Sequence, residues 1–505
     1  MPLRLAKIGC CAAALACIFG AGGAGAGAGG PLAVGIASDE PYVTNDGAHS
    51  YYGALRDMGM NTSRLVVVWD ASTPTTIVDK EQLDRLVSTA RGYGIQPFFN
   101  LTQARPDMFS SADNRAAFAN FLGLLARTYP EIDDYVVGNE PNVTYFWRPQ
   151  FNADDTPRAP GDFVDLLARS YDALKAVNAG ITVTAGGLDA RGNDNPDARS
   201  NISNSPVRFI KHMGDAYRAS GRNRPLFDQV AFHPYPLSSR DSYNKSYAWP
   251  NAGMADLDRL KQAYWDAFHG TAQPTFEDGL TISLDETGWQ TAPPPEHAGA
   301  YNSSELNDTI DEATQAQIYA DMIRYLECDP SVSNVLVYRL MDESDLKRWQ
   351  SGVMRADGSL KPSYDAIKQT IAQTGGRCSA APRAFRHATS VVGASVKFQV
   401  GRRPARATAF SFTATAEENA VVQARIMRVS SKTGASATQR AALSTALPSA
   451  SVASASGNVQ ARWVPVVAFP ARRLKPGWYV YAVRMTAEAN PDRSSTFVSA
   501  AFRVG

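Results

Sequence analysis

Two glutamates stand where the chain passes from an apolar run into polar, turn-forming residues. One lies in Val137-Gly138-Asn139-Glu140-Pro141-Asn142, the other in Leu284-Asp285-Glu286-Thr287-Gly288-Trp289. Two carboxyl groups brought to one cavity can divide labour, one giving and taking a proton, the other staying charged to attack or stabilise. His233 and Tyr235 stand at a comparable junction, Phe232-His233-Pro234-Tyr235-Pro236, and Arg64 lies within the run Ser63–Trp69. Glu140 and Glu286 are 146 residues apart, so only the fold can unite them.

The elements that would do so are legible as an alternation of period-2 and helical patterns. Short β-branched runs at Leu32–Ala37, Ser63–Trp69, Ile95–Leu101, Asp134–Gly138, Ile181–Gly186, Gln229–His233, Leu280–Asp285 and Asn334–Leu340 read as strands. Helical patterns follow them at about 49–59, 79–92, 112–128, 161–177, 205–219, 254–268, 309–327 and 360–373, with Asp79 and Asp308 as candidate N-caps. Eight such units predict an α/β fold, a parallel (β/α)8 TIM barrel over residues 31–378. In that fold the C-terminal strand ends carry the chemistry, and both glutamates lie there. No GxGxxG follows the first strand and no P-loop occurs, which leaves nucleotide binding without support.

Residues 379–505 have a different character. Short alternating segments at Thr408–Thr415, Val421–Val429, Val464–Phe469, Trp478–Thr486 and Ser495–Val504 predict a small all-β sandwich, with Ser430–Ser456 as a long loop. The net charge of +1 conceals a split: residues 31–382 hold 31 Lys+Arg against 45 Asp+Glu, and residues 383–505 hold 17 against 4. The basic domain is a candidate for docking on an anionic cell-wall polymer. It lacks the interleaved aromatics of a nucleic-acid groove, so no nucleic-acid partner is expected.

The N-terminus reads as a targeting segment. Arg4 and Lys7 precede the apolar run Ile8 to Phe19 and the small-residue tract Gly20 to Gly30, the pattern of a secretory signal peptide over residues 1–30. Export would place the mature chain outside the cell and remove Cys10, Cys11 and Cys17. The remaining Cys328 and Cys378 would form one disulfide. No later apolar run reaches the 18 or so residues that span a bilayer, so no integral span is expected in the mature chain.

The strand-end residues resemble the glycoside hydrolases of clan A, the retaining (β/α)8 glycosidases. Asn139-Glu140-Pro141 after strand four, Glu286 after strand seven, His233-x-Tyr235 after strand six and Arg64 on strand two all match. Asn139 to Asn142 followed by Phe146-Trp147 is similar to family 39. His233-Pro234-Tyr235 and Arg64 are as similar to family 5. The resemblance implies a polysaccharide or oligosaccharide substrate, no cofactor or metal, Glu140 as acid/base and Glu286 as nucleophile, roughly 5 Å apart. Asp285 is a rival for the nucleophile if the strand register slips by one. Trp147 or Trp69 would wall Glu140 and favour its proton; Arg64 and Tyr235 would hold Glu286 ionised; Asn139 would bind the sugar 2-hydroxyl. His233 would also contact substrate, and Trp289 would stack on a sugar ring. Clan members often end strand eight with Trp; here Tyr338 stands there, followed by Arg339, which either pairs with Asp342 or Glu343 or recognises an acidic sugar. The rival class is a non-catalytic carbohydrate-binding or surface protein on a degenerate barrel.

Overall fold

Eight parallel strands close on themselves in the computed structural model, which describes residues 30–401, 410–430, 453–461, 466–469 and 473–505. The signal-peptide reading and its three cysteines lie outside the described residues. The strands are β1 Ala33–Ala37, β2 Thr62–Trp69, β3 Gln96–Gln103, β4 Asp134–Val137, β5 Thr182–Asp189, β6 Gln229–His233, β7 Thr281–Thr287 and β8 Val332–Tyr338. β8 returns to β1 with Leu336 opposite Gly35, closing the barrel. The helices α1 His49–Asp57, α2 Lys80–Gly92, α3 Ala112–Thr128, α4 Ala159–Val177, α5 Pro206–Ala219, α6 Leu257–Phe268, α7 Glu312–Leu326 and α8 Pro362–Thr374 each follow a strand. The alternation predicted from the sequence is therefore present, with ends displaced by a few residues. The N-caps differ. Asp79 sits at φ +49° with no side-chain cap bond, and α7 is capped by Asp311, whose carboxylate accepts from Thr314 N at 2.8 Å. Asp308 instead accepts from Ser238 Oγ.

Strand alternation sorts the buried residues into two sets. Ile36, Leu65, Phe99, Val137, Val183, Val230, Ile282 and Val335 belong to the large core beneath the helices. Ala37, Phe98, Val136, Ala231 and Leu336, at the opposite parity, form a separate small cluster inside the barrel. Several other interior positions are polar and hydrogen-bonded: Gln229 donates to Thr281 and Ser333, Thr184 to Asp134, and Ser283 to Asn334. A barrel with such an interior can accept further polar side chains at its mouth, because their neighbours already supply donors and acceptors.

Besides a shift between Ile282/Val332 and Ser283/Asn334, where β8 carries the extra residue, two irregularities break the register near the mouth. Between Ala185/Val230 and Leu188/Phe232, β5 carries one residue more than β6; between Leu284/Val335 and Thr287/Val337, β7 carries one more than β8. Extra residues of this kind bend a strand and re-aim its side chains. Both lie at the strands' C-terminal ends, on either side of β6.

The C-terminal strands form two antiparallel sheets, one of Ser395–Val400, Phe410–Thr415 and Val466–Ala468, the other of Ala420–Val429, Ala453–Val459, Gly477–Ala487, Ser494–Val498 and Phe502–Val504. They pack around Phe410, Phe412, Val422, Ile426, Tyr481 and Met485. Two strands escape the sequence reading. Ser395–Val400 lies ahead of the first strand predicted there, although Val396, Phe398 and Val400 alternate with Lys397 and Gln399. Ala453–Val459 overlaps the predicted loop Ser430–Ser456; its small residues have weak strand preference, and pairing along Ala420–Val429 holds it extended. Cys328 and Cys378 form the expected disulfide. Against the barrel, Arg493 inserts between Asp266 of α6 (2.8 Å) and Glu418 (2.6 Å), all three side chains at most 7% exposed. Replacing Arg493 by Ala leaves two buried carboxylates unpaired and should cost about 3–5 kcal/mol. Urea denaturation followed at several wavelengths measures this; a loss below about 1 kcal/mol would contradict the assignment.

Candidate active site

The mouth of the barrel opens into a cleft of about 840 Å³ whose lining includes Glu140 and Glu286. Each glutamate is put there by its backbone. After β4, Gly138 adopts φ +87° and Glu140 φ +39°, a conformation that a residue with a side chain holds only under constraint. The constraint is visible: Glu140 N donates to Gly187 O at 2.9 Å, and Val143 N donates back to Glu140 O at 3.1 Å. Asn142, fully buried, ties the same loop to its neighbours by donating to Asp189 O and Asn204 O and accepting from Asp189 N. Glu286 sits in the bulge of β7. A regular strand would send residues 285 and 286 to opposite faces; here both reach the same guanidinium.

That guanidinium is Arg64, 5% exposed. Its Nη2 lies 2.5 Å from Glu286 Oε1 and its Nη1 3.7 Å from Asp285 Oδ2. Tyr235 donates to the other oxygen, Glu286 Oε2, at 3.0 Å. Glu286 is thus met by a cation and a hydroxyl donor. Glu140 is in the opposite situation. Burial pushes its carboxyl up to about 7, against a hydrogen bond with His233, whose Nδ1 lies 2.8 Å from Oε1. Glu140, His233 and Glu286 bring one ligand atom each within 4.8 Å of one another. That spacing would suit a divalent cation, yet the lone pairs are engaged: His233 is bonded to Glu140, and Arg64 and Tyr235 hold both oxygens of Glu286. The donor set fits protons and a guanidinium better than a metal.

Among the other residues singled out in the sequence, Tyr338 lines the cleft and Asn139 is buried immediately before Glu140. Three tryptophans do not take the predicted places. Trp69 is fully buried, stacked on Phe109 and bonded to Pro74 O; Trp147 packs between Phe109 and Phe163. Neither lines the cleft into which Glu140 opens. Trp289 is 1% exposed, donates to Asp241 O at 2.7 Å and packs on Tyr319, so no face remains for a sugar. His233 is likewise fully buried and contacts carboxylates rather than the cleft. Asp285 is fully buried too, and it is Glu286 that lines the cleft. Arg339 pairs with Glu343 at 3.1 Å, while Asp342 pairs with Lys361.

The aromatic surface of the cleft comes from a residue missed in the sequence. Trp349, in the loop after β8, rests 5.2 Å from both Tyr235 and Tyr338 and lines the cleft with them. It lies eleven residues past the strand, beyond the strand-end positions inspected. On the Glu140 side, Tyr145 and Phe146 form a second aromatic pair, with Tyr145 75% exposed. Gly186 and Gly187 were also unmarked. A Cβ on Gly187 would stand 2.2 Å from His233 Nε2, so the glycine is what admits the ring.

No protein-family model matches the chain, and no curated protein matches it. Solved structures do resemble it. A family 39 glycoside hydrolase from Bacteroides cellulosilyticus WH2 shares 18% identity over 79% of this chain and 75% of its own, with a TM-score of 0.49. GH5_18 from Streptomyces cattleya, in complex with GlcNAc, shares 15% over 70% and 83%, TM-score 0.46. A beta-glucuronidase from Bacteroides uniformis shares 11% over 93% of this chain, TM-score 0.41, and this chain spans only 45% of it. At these identities the likeness is one of fold.

A carboxyl raised from 4.5 to about 7 in the folded state binds its proton more tightly there than in the unfolded chain. Its contribution to stability is therefore present below 4.5 and lost as pH rises to about 7. Glu140→Gln removes that loss. Thermal denaturation from pH 4 to 8 should show the variant gaining on the parent through this window; a gap independent of pH would refute the environment described.

Proposed function

We propose that the protein is a retaining glycoside hydrolase that cleaves O-glycosidic bonds of a polysaccharide or oligosaccharide by double displacement. The observation that carries this reading is that the two carboxyl groups bring one oxygen each to within 4.8 Å. Retaining enzymes hold them about 5–5.5 Å apart, whereas inverting ones leave about 6.5–9.5 Å for a water. The contrast in their surroundings supports the assignment of roles. Glu140, protonated up to about 7, gives its proton to the departing oxygen. Glu286, charged and oriented by Arg64 and Tyr235, attacks the anomeric carbon. The sugar–oxygen bond breaks and a glycosyl ester forms on Glu286. Water, deprotonated by Glu140, then attacks that carbon, and the carboxylate of Glu286 leaves. Asn139, immediately before Glu140, would hydrogen-bond the 2-hydroxyl. Trp349 and Tyr338 supply the apolar face on which the ring rests. Export, and docking of the basic sandwich on an anionic polymer, belong to the same proposal and rest on the sequence.

A panel of aryl glycosides and polysaccharides, run with the parent protein and with Glu140→Gln and Glu286→Gln, tests the reading. Each variant should lose at least about 10³-fold in kcat/KM, and activity of the parent should fall above about pH 7. A fluorosugar bearing a good leaving group should label Glu286 in peptide mass spectra. Label on Asp285, or no hydrolysis across the panel, would sink it. Trp349→Ala should raise KM about tenfold with a smaller change in kcat, the expected cost of a lost stacking face; an unchanged KM would remove Trp349 from the binding surface.

A further inference from the structure

The glycosidase reading, on which this inference rests, leaves one charged residue idle. Asp285 is fully buried inside the barrel mouth. Its Oδ1 lies 3.2 Å from His233 Nε2 and its Oδ2 3.7 Å from Arg64 Nη1. Neither oxygen closes an aligned hydrogen bond among the described residues, so charge, not hydrogen-bond geometry, holds the group. A carboxylate in that setting is costly to bury, and an apolar side chain would fill the position at lower cost. Its presence therefore calls for a role in charge.

His233 supplies that role. Its Nδ1 faces Glu140 Oε1 at 2.8 Å and Glu286 Oε2 at 3.8 Å, and its Nε2 faces Asp285. A neutral imidazole donates from one nitrogen only; a ring with carboxylate oxygens on both sides is matched when both are protonated. Gly187, which carries no Cβ, leaves the space that the Nε2 edge of the ring occupies. The charged and titratable groups around it are Glu140 from the loop after β4, Asp189 at the end of β5, Tyr235 after β6, Asp285 and Glu286 from β7, and Arg64 from β2. Burial opposes charge on the ring, but Glu286 and Asp285 outweigh it and raise its proton affinity well above the usual value. Reciprocally, His233 and Arg64 overcome burial and hold Asp285 below the usual carboxylate range.

We propose that Asp285 is a positioning residue that keeps His233 doubly protonated, so that Glu140 meets a charged hydrogen-bond donor each time it gives up its proton. The reaction sequence shows why Glu286 cannot serve. When Glu286 attacks, its charge disappears into the glycosyl ester, while Glu140 has just become a carboxylate. Asp285 is the counter-charge that persists through both halves. In the second half water attacks the anomeric carbon, the bonding pair returns to Glu286, and the proton of water passes to Glu140. The proton on His233 stays in place throughout. A ring left neutral would take the proton of Glu140 at Nδ1, away from the leaving oxygen.

The test is ¹⁵N NMR of the full chain labelled at histidine, with His233→Gln to assign the ring. In the parent at pH 7.5 both ring nitrogens should carry the shifts of imidazolium; a singly protonated ring overturns the inference whatever the variants do. In Asp285→Asn the titration of the ring should move down by about one unit. The alkaline limb of kcat/KM should move up by about one unit, because Glu140 loses a positive neighbour. kcat should fall about tenfold or more, with glycosyl-enzyme accumulating. A merely structural role would lower the melting temperature and leave the limb and the ring where they were. The ring is read without turnover, so the two readings fail separately: an active protein with a neutral ring defeats this inference alone, and an inactive protein defeats the glycosidase reading and takes this inference with it.

Discussion

One buried guanidinium sets the terms for the whole mouth of the barrel. Arg64 spans Glu286 and Asp285 with two different nitrogens, a geometry open to a planar fork and closed to the single ammonium of lysine. With His233 it supplies two positive groups against the negative Asp285 and Glu286. The third carboxyl, Glu140, has no charge left to balance its own, and burial leaves it protonated up to about 7. The contrast between the surroundings of two glutamates that bring an oxygen each to within 4.8 Å is thus a consequence of how two cations are shared among three acids.

The backbone has to bring these groups together, and regular strands would not. The bulge in β7 lets consecutive residues 285 and 286 face one guanidinium. The bulge in β5 carries Gly186 and Gly187, whose missing side chains leave room for the loop after β4 and for the ring of His233. The left-handed conformation of Glu140 is fixed from both sides, by Gly187 O and by the buried Asn142 network. Strain at one residue is held by many ordinary bonds around it. The polar interior of the barrel below serves the same end, since Asp134, Gln229 and Asn334 are already satisfied by neighbours.

Much of this was legible in the sequence. Period-2 and helical patterns alternate cleanly enough to number eight units, and the rule that chemistry sits at C-terminal strand ends picks out Glu140, Glu286 and Tyr235; Arg64, near the start of its strand, entered through the clan A resemblance. What was not legible has physical causes. A bulge leaves no mark in hydrophobic period, so Asp285 read as a competitor of Glu286 rather than as its companion. Tryptophan is large and amphipathic, and its position near a strand end does not say which side it faces: Trp69, Trp147 and Trp289 all turned into the core. The working aromatic, Trp349, hangs from a loop that no strand-end rule reaches. His233 entered as a substrate contact through the resemblance, yet its burial is compensated by carboxylates on both edges. In the sandwich, the alanine- and serine-rich strand Ala453–Val459 is made by its pairing partner rather than by its own preference.

The separation of Glu140 and Glu286 commits the account to one stereochemical outcome. Proton NMR of the first product formed from a substrate of defined anomeric configuration, recorded before mutarotation, tests it most directly. The account predicts that the newly released sugar has the configuration of the bond that was cut. Release of the opposite anomer would require a water between the two carboxyl groups and would contradict the geometry on which everything else is built.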